Sequence, residues 1–207
     1  MDIIEEAVKV LNQGGIVIYP TDTAFGIGCR IDNEVAIERL FKIRRRPKSQ
    51  AVPVLVENRK MAQKYLLPVL EPVRKLMESY WPGGLTIVYP CLKEMVPPLV
   101  RGNGANLGVR VPDHSQTLKL IHKLGVPILG PSANFHGQPT PFRIQDLDPR
   151  LIKLAEMVVE GVCNLKRVST VIDCSLLPWK ILRQGSVNVR SSLKNPNFKV
   201  KQLHKSL

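Results

Sequence analysis

The chain has 207 residues, 44% of them hydrophobic, which is enough for one substantial core and favours a single domain. No apolar run approaches the ~20 residues that a membrane helix needs, and the amino terminus lacks the cationic start and apolar region of a signal peptide. We therefore expect a cytoplasmic protein that does not enter a membrane. The formal net charge of +13 is typical of proteins with a polyanionic partner.

The cysteines are also consistent with a cytoplasmic protein. The four cysteines are far apart in the chain, form no CxxC motif and have no histidine at metal-ligand spacing. We expect reduced, mostly buried thiols and no protein metal site. The cysteines are Cys29, Cys91, Cys163 and Cys174.

Alternating helices and strands are predicted from the amino terminus onward. Asp2 can cap a first helix that Gly14-Gly15 end, and residues 16–19 predict a buried strand. A polar turn at 21–23 leads into a second predicted strand at 24–30. The glycines of that strand, Gly26 and Gly28, allow close backbone approach and are expected to leave room for a ligand.

The next helix is capped by Asn33 and stopped by Pro47, so Arg44-Arg45-Arg46 falls at its carboxyl end or just beyond. Its predicted apolar face is formed by Val35, Ile37, Leu40 and Phe41.

The rest of the chain continues the alternation. A short helix is predicted from Asn58 and amphipathic helices at 70–80 and 118–124. Strands are predicted at 52–56, 85–89, 107–111, 126–129, 157–159, 170–172 and 180–182. This order predicts an α/β sheet covered by helices.

Two separated segments predict one anion-binding site. Arg44-Arg45-Arg46 crowds guanidinium groups suited to gripping phosphate or carboxylate oxygens. Gly130-Pro131-Ser132-Ala133-Asn134 presents small polar donors directly after an apolar strand, where α/β sheets receive ligands. The chain has neither a Walker A loop nor a GxGxxG motif, so side-chain cations would have to hold a nucleotide.

The order of these blocks, with the 15–28 stretch, Pro82-Gly83-Gly84-Leu85-Thr86 and Leu107-Gly108-Val109-Arg110-Val111-Pro112, resembles the YrdC-like family, which contains the L-threonylcarbamoyladenylate synthases. The resemblance runs from about Ile3 to Val187. It implies a YrdC-like twisted mixed β-sheet covered by helices, with a concave basic face, as one domain at 1–187 followed by a basic tail at 188–207. The tail is too short for the extra domain of the longer synthases, so the short form is indicated.

The resemblance also implies an activity. Threonine and bicarbonate or CO₂ would form a carbamate that attacks the α-phosphorus of ATP, with Mg²⁺, to give threonylcarbamoyl-AMP and pyrophosphate. A separate tRNA threonylcarbamoyltransferase would then modify an adenosine of tRNA. The alternative is a non-catalytic member of the fold that binds double-stranded RNA or tRNA. The tail lysines are equally consistent with RNA contact and with a solvated, partly disordered end.

Residue roles follow from the matching motifs. Arg44 and Arg46 are the predicted catalytic residues, and Thr21, Thr23 and Arg46 the predicted threonine-binding residues. The predicted ATP ligands are Arg44, Arg46, Arg110, Ser132, Asn134, Ser169 and Arg183. Thr170 is expected to face ATP beside Ser169, and Thr86 is a weaker candidate that is equally consistent with a structural role.

This chain differs from the usual family sequence at two positions, and one assigned residue has an alternative role. Arg44 stands where the family usually has lysine, which trades a compact ammonium for a planar fork. The strand after Pro53 lacks a histidine that many members carry. His136 is a candidate replacement, although a solvent-facing loop position is the commoner one. Arg110 has the alternative of a buried structural ion pair.

Overall fold

The computed structural model describes residues 2–189. The tail assigned to 188–207 therefore lies outside the described residues from 190 onward. The helices are α1 (Ile3–Asn12), α2 (Glu34–Arg44), α3 (Arg59–Gln63), α4 (Glu71–Tyr80), α5 (Ser115–Leu124) and α6 (Pro149–Ile152), with a 3₁₀ turn at Ile144–Asp146. The strands are β1 (Val17–Tyr19), β2 (Gly26–Gly28), β3 (Val54–Leu55), β4 (Leu85–Pro90), β5 (Asn106–Arg110), β6 (Ile128–Leu129), β7 (Met157–Val158), β8 (Thr170–Asp173) and β9 (Lys180–Arg183).

The strands form two mixed sheets. Six of them lie in the order β6-β3-β5-β4-β8-β9, and three in the order β2-β1-β7. Parallel pairs such as β4 with β8 alternate with antiparallel pairs such as β4 with β5. Isolated bridges between Gly26 and Ser132 and between Arg30 and Ile128 join the two sheets, so the predicted mixed α/β architecture is confirmed.

Local capping agrees with the sequence. The Asp2 side chain accepts a hydrogen bond from Ile4 N–H at 3.1 Å, and the Asn33 side chain accepts one from Ala36 N–H at 2.9 Å. Asn58 caps α3 in the same way through Met61 N–H. These caps satisfy backbone donors that the first helical turn leaves unpaired.

The core continues through both sheets and the helices that cover them. It includes all four cysteines, which are buried and free as predicted, and burial raises the pKa of the Cys29 thiol to about 12. Residues 2–189 contain no helix that is both long and apolar enough to cross a membrane.

Several predicted strands are shorter than expected, and backbone hydrogen bonds explain two of them. Only Gly26–Gly28 pairs with β1, because Phe25 N–H bonds the carbonyl of Pro141 and the Cys29 carbonyl accepts from Leu129 N–H. Only Val54–Leu55 forms β3, since Val52 N–H bonds the Val100 carbonyl in a loop. Hydrogen bonds to residues far away in the sequence therefore determine where these strands end.

The assignment of Val35 to the buried face of α2 was wrong. The buried face is formed by Ala36, Ile37, Leu40, Phe41 and Arg44, while the Val35 side chain is 81% exposed. Helix α6 was missed, although Asp148 followed by Pro149 carries the signature of a capped helix start.

The predicted close backbone approach at Gly26 and Gly28 is present. A Cβ on Gly26 would lie 2.8 Å from the ring of Tyr19, and one on Gly28 would lie 1.9 Å from the carbonyl oxygen of Leu129. The Tyr19 hydroxyl is buried here and donates to the same Leu129 oxygen at 2.5 Å. The close approach at these glycines is made by the Tyr19 ring and the Leu129 backbone, and Gly26 also borders the candidate cavity described below.

Candidate active site

A cavity of about 150 Å³ collects residues from the ends of both sheets. Arg110 ends β5, Arg183 ends β9, Ser169 precedes β8, Arg44 ends α2 and Gly26 begins β2. Four arginines line it, and the described residues at its wall include no Asp, Glu, Lys or His. The arginines are Arg44, Arg46, Arg110 and Arg183. The excess of positive charge makes this cavity suitable for binding anions.

The polar turn after β1 forms one wall. Thr21 Oγ1 lies 3.0 Å from Thr23 Oγ1 and donates to the Ala24 carbonyl at 2.6 Å. Both threonine side chains border the cavity. Because Thr21 Oγ1 also accepts from Thr23 and Ala24 N–H, the turn holds its hydroxyls in fixed positions.

Arg110 holds this threonine turn in place through contacts with Thr23 and Asp22. It is 5% exposed and pairs with Asp22, and its Nη1 donates to Thr23 Oγ1 at 2.7 Å while Nε donates to the Gly83 carbonyl at 2.9 Å. Burial lowers the pKa of Arg110 and the Asp22 carboxylate opposes that shift. The ion pair proposed as the alternative for Arg110 is present, and Arg110 also borders the cavity.

Arg44 and Arg46 form another part of the cavity wall. Arg44 is 3% exposed, and burial, assisted by the neighbouring charge of Arg46, lowers its pKa to about 10. Arg46 is half-buried and donates from Nε to the Gln50 carbonyl at 3.0 Å and from Nη2 to the Ala51 carbonyl. Arg44 therefore remains a cation at neutral pH, and burial lowers the pKa of Arg46 as well. Arg45 between them adopts a left-handed conformation with φ 53° and packs over Phe135 instead.

The third group of polar side chains comes from β4, β8 and β9. Ser169 Oγ lies 3.0 Å from Thr86 Oγ1 and accepts from Arg183 Nη2 at 2.9 Å. All three residues border the cavity, so Thr86, the weaker candidate, is at the site. Burial and the nearby charge of Arg110 lower the pKa of Arg183.

The structure separates some of the other predicted residues from the cavity. Ser132 borders it, whereas Asn134 lines an adjoining depression with Phe135 and Gln138. Thr170 does not face it: its buried hydroxyl donates to the Val187 carbonyl at 2.6 Å and accepts from Gly185 N–H. The expectation for Thr170 was therefore wrong, because the hydroxyl is used to fix the return of the chain after β9.

His136 is exposed and does not border the cavity, so it does not replace a histidine of the Pro53 strand there. Leu55 stands on that strand and lines the wall instead. Asp22, the partner of Arg110, and Thr140 were not predicted from the sequence. Asp22 was visible in the Thr-Asp-Thr turn, whereas Thr140 stands in a loop whose sequence carries no signal.

Wider depressions lie elsewhere, among them two of about 480 and 370 Å³. The larger of these two is lined by residues such as Asp32, Tyr65 and Pro97, and neither has an arginine among its described lining residues. The small arginine cavity is the candidate site because four cations and six hydroxyl side chains line it. The hydroxyls belong to Thr21, Thr23, Thr86, Ser132, Thr140 and Ser169.

Fold and site together define an α/β protein with an arginine-lined anion cavity, and comparison with known proteins gives its family. The family model described as "Telomere recombination", which groups the Sua5, YciO and YrdC proteins, matches residues 9–185. The chain is 31% identical over 188 residues to the threonylcarbamoyl-AMP synthase of Bacillus subtilis, which covers 89% of this chain and 54% of that protein. It is 31% identical over 187 residues to the threonylcarbamoyl-AMP synthase of Photobacterium profundum, covering 89% of this chain and 100% of that relative.

Solved structures agree. Sua5 of Pyrococcus abyssi, crystallised with L-threonine, superposes with a TM-score of 0.84 at 30% identity over 88% of this chain and 54% of that one. YciO of Escherichia coli gives a TM-score of 0.82 at 28% identity over 90% and 91% of the two chains. The chain belongs to the Sua5/YciO/YrdC family. It spans about half the length of the Bacillus and Pyrococcus relatives and the whole length of the Photobacterium one.

Proposed function

We propose that the chain is a threonylcarbamoyl-AMP synthase, which forms threonylcarbamoyl-AMP and pyrophosphate from L-threonine, bicarbonate or CO₂ and ATP. The observation that carries the proposal is the convergence of four arginines and the threonine turn on one cavity. Relatives that match this chain over most of its length carry that name, and one of the similar structures was solved with L-threonine.

The first step joins threonine to bicarbonate. The ammonium form of threonine and HCO₃⁻ give the N-carboxylate, one water and one proton. A carbamate oxygen then forms a bond to the α-phosphorus of ATP while the bond from that phosphorus to the bridging oxygen breaks, and pyrophosphate leaves. Because the nucleophile is the carbamate of the substrate itself, the protein needs no nucleophilic side chain.

The released proton has no acceptor of suitable pKa at the cavity wall. Among the described lining residues the only ionisable side chains are the four arginines. Nearby cations disfavour a further positive charge, so they lower the pKa of the threonine amine and favour its neutral, nucleophilic form. The proton would leave with water or bicarbonate. Catalysis then rests on position and electrostatics.

Phosphate charge is the second electrostatic task. Arg44, Arg46 and Arg183, with the Ser132 and Ser169 hydroxyls, would bind the phosphates of ATP and stabilise the charge that develops on pyrophosphate. Arg110 supports the nucleotide side while it fixes Thr23. Thr21 and Thr23, with Arg46, would contact threonine.

Mg²⁺ fits as an ion that arrives on ATP. None of the described cavity residues offers a carboxylate, the ligand that Mg²⁺ prefers in proteins, so the phosphate oxygens and water would hold it. When bound, it neutralises phosphate charge. The cavity, at about 150 Å³, is below the roughly 300–1,000 Å³ typical of ligand pockets, so it suits the reacting groups while the nucleoside extends outside.

The product would pass to a tRNA threonylcarbamoyltransferase for modification of tRNA in the cytoplasm. The competing function is RNA binding without catalysis, which the net charge of +13 favours.

One assay tests the proposal. Purified protein with Mg²⁺, ATP, bicarbonate and L-threonine should release pyrophosphate and form an adenylate with the mass of threonylcarbamoyl-AMP. Serine and glycine should react less well, because a site built around threonine leaves groups unpaired when part of the ligand is missing. Pyrophosphate release that does not depend on threonine, with no adenylate by mass spectrometry, would leave RNA binding as the function.

A further inference from the structure

A groove between α2 and the loop after β4 is rich in carboxylates, although the chain as a whole has a net charge of +13. It consists of two depressions, of about 480 and 230 Å³, which share Glu34, Pro97 and Pro98 in their lining. We call this surface the acidic groove, because its carboxylates outnumber its lysines. Its charged lining residues are Asp32, Glu34, Glu38, Glu94, Lys48 and Lys93.

Three carboxylates of the acidic groove form no ion pair with the described part of the chain. Glu34, Glu38 and Glu94 are exposed, and no ion pair within residues 2–189 includes any of them. Asp32, in contrast, pairs with Arg30 at 2.7 Å. Glu34 stands in the first turn of α2, where an acidic side chain favours the helix dipole. Glu38 and Glu94 have no such role and are available to a positively charged ligand.

Apolar side chains lie between these charges. Met95 is 46% exposed, and Tyr65, Val96 and Pro97 stand with it in the lining of the larger depression. Exposed ion pairs alone are weak, because salt screens them and two long side chains must be ordered. A ligand that stays in the groove must therefore bring apolar contact as well as positive charge.

The carboxyl-terminal segment 190–207 has this combination of side chains. The chain contains no acidic residue after Asp173, and Phe198 and Val200 alternate with Lys199 and Lys201. Its charge and its apolar residues complement those of the acidic groove. The cations of the segment are Arg190, Lys194, Lys199, Lys201 and Lys205.

The segment is also long enough to reach the groove. The described chain ends at Val189, which is buried, and Ser186 nearby lies against Gly84, directly before β4. The groove is lined by 93–98, shortly after β4 ends, so the length of this strand, about 20 Å, separates the two. A segment of the length of 190–207 spans roughly 60 Å when extended. The groove is therefore within reach of the same molecule.

We propose that segment 190–207 binds the acidic groove of its own molecule, with its lysines paired to Glu38 and Glu94 and with Phe198 against the apolar lining. Covalent linkage gives the segment an effective concentration on the order of millimolar, so contacts too weak to hold two separate molecules are enough within one chain. Lysines bound in this way are withheld from other polyanions until the contact breaks. The proposal does not depend on the proposed enzymatic function.

Cleavage by chymotrypsin after Phe198 measures whether the segment is bound. At low ionic strength the full chain should be cut about 10-fold more slowly than a synthetic peptide of residues 190–207, because cleavage follows the unbound fraction. Glu38→Lys combined with Glu94→Lys should bring the rate to within about 2-fold of the peptide. Glu6→Lys combined with Glu160→Lys is the matched control: it makes the same change in net charge at exposed glutamates outside the groove, and protection should remain.

Exchange of the charges tests the pairing from the other side. Lys199→Glu combined with Lys201→Glu should also lose the protection, measured against a peptide with the same changes so that the sequence preference of chymotrypsin cancels. This variant leaves residues 2–189 unchanged, so it tests the contact even if the groove variant fails to fold. All four substitutions together should restore at least about half of the wild-type protection, because opposite charges again face each other.

A zero-length carbodiimide identifies the contact directly, because it couples a lysine amine only to a carboxylate that it touches. Links from Lys199 or Lys201 to Glu38 or Glu94 are expected. In a mixture of protein with light and heavy nitrogen, these links should join peptides of the same isotope.

Four results would each overturn the proposal. Links that join the two isotopes would mean that a second copy supplies the segment, and links only to other carboxylates would place it elsewhere. Protection that survives charge reversal in the groove would exclude the pairing. Protection seen only when RNA is added would assign the lysines to RNA phosphates instead.

Discussion

Arg46 is the residue whose loss should separate catalysis from folding. It borders the cavity, and its two recorded donors bond the carbonyls of Gln50 and Ala51 in an exposed loop. Arg46→Ala therefore removes a cation from the site and costs little stability, as exposed polar contacts generally do.

The expected magnitude follows from the geometry. A guanidinium about 4 Å from a phosphate oxygen at an effective dielectric constant of about 20 interacts by about 4 kcal/mol, and losing one oxyanion donor typically costs about 2.7–4 kcal/mol. Arg46 is only half-buried, and the three other cavity arginines remain, so we expect a loss near or somewhat below the lower end of that range. A loss of about 2–3 kcal/mol corresponds to roughly a 30- to 160-fold fall in kcat/KM.

The assay is continuous release of pyrophosphate with ATP and threonine varied separately. Arg45→Ala is the matched control, because Arg45 is the adjacent residue, packs 5.0 Å from the Phe135 ring centroid and does not border the cavity. It should stay within about 3-fold of wild type. The reasoning is refuted if Arg46→Ala also stays within that limit, or if Arg45→Ala loses as much.

Three further predictions concern stability, pH and the tail. Thr170→Val should lower the free energy of unfolding by about 1–3 kcal/mol in urea titration, because it leaves the Gly185 and Val187 N–H groups without their acceptor. Turnover per folded molecule should be unchanged, and a tenfold loss with intact folding would place Thr170 at the site after all. Arg44→Lys should lose activity at a lower pH than wild type: burial lowers the pKa at this position, lysine starts from a lower value than arginine, and its charge is lost as pH rises. Superimposable pH profiles between pH 7 and 10 would contradict this. Deleting 190–207, which keeps the buried Val189, should weaken tRNA binding and flatten its salt dependence by roughly 0.7–0.9 in log–log slope per lost phosphate contact, while adenylate synthesis persists. Loss of synthesis with unchanged tRNA affinity would assign the tail to the active site.

Local chemistry in the sequence was enough to predict the helices and the two walls of the site. Asp2, Asn33 and Asn58 cap helices because their side chains satisfy backbone donors a few residues away, an interaction that needs no tertiary partner. The position of Arg44 and Arg46 at the end of α2 follows in the same way from Pro47. The order of the motif blocks identified the family.

The partners of several side chains and glycines depend on contacts between residues far apart in the sequence. The sequence shows that Gly26 and Gly28 allow a close approach but not what approaches them. Only the packing of β1 against β2 and β6 shows that it is Tyr19 and the Leu129 backbone. Whether Thr170 faces ATP or the chain after β9 depends on where Val187 returns, 17 residues later. Asn134 turns its amide oxygen to Arg44 across 90 residues of sequence. The sequence shows which side chains can form hydrogen bonds, but it does not show with which partner, because the partner depends on how the chain folds.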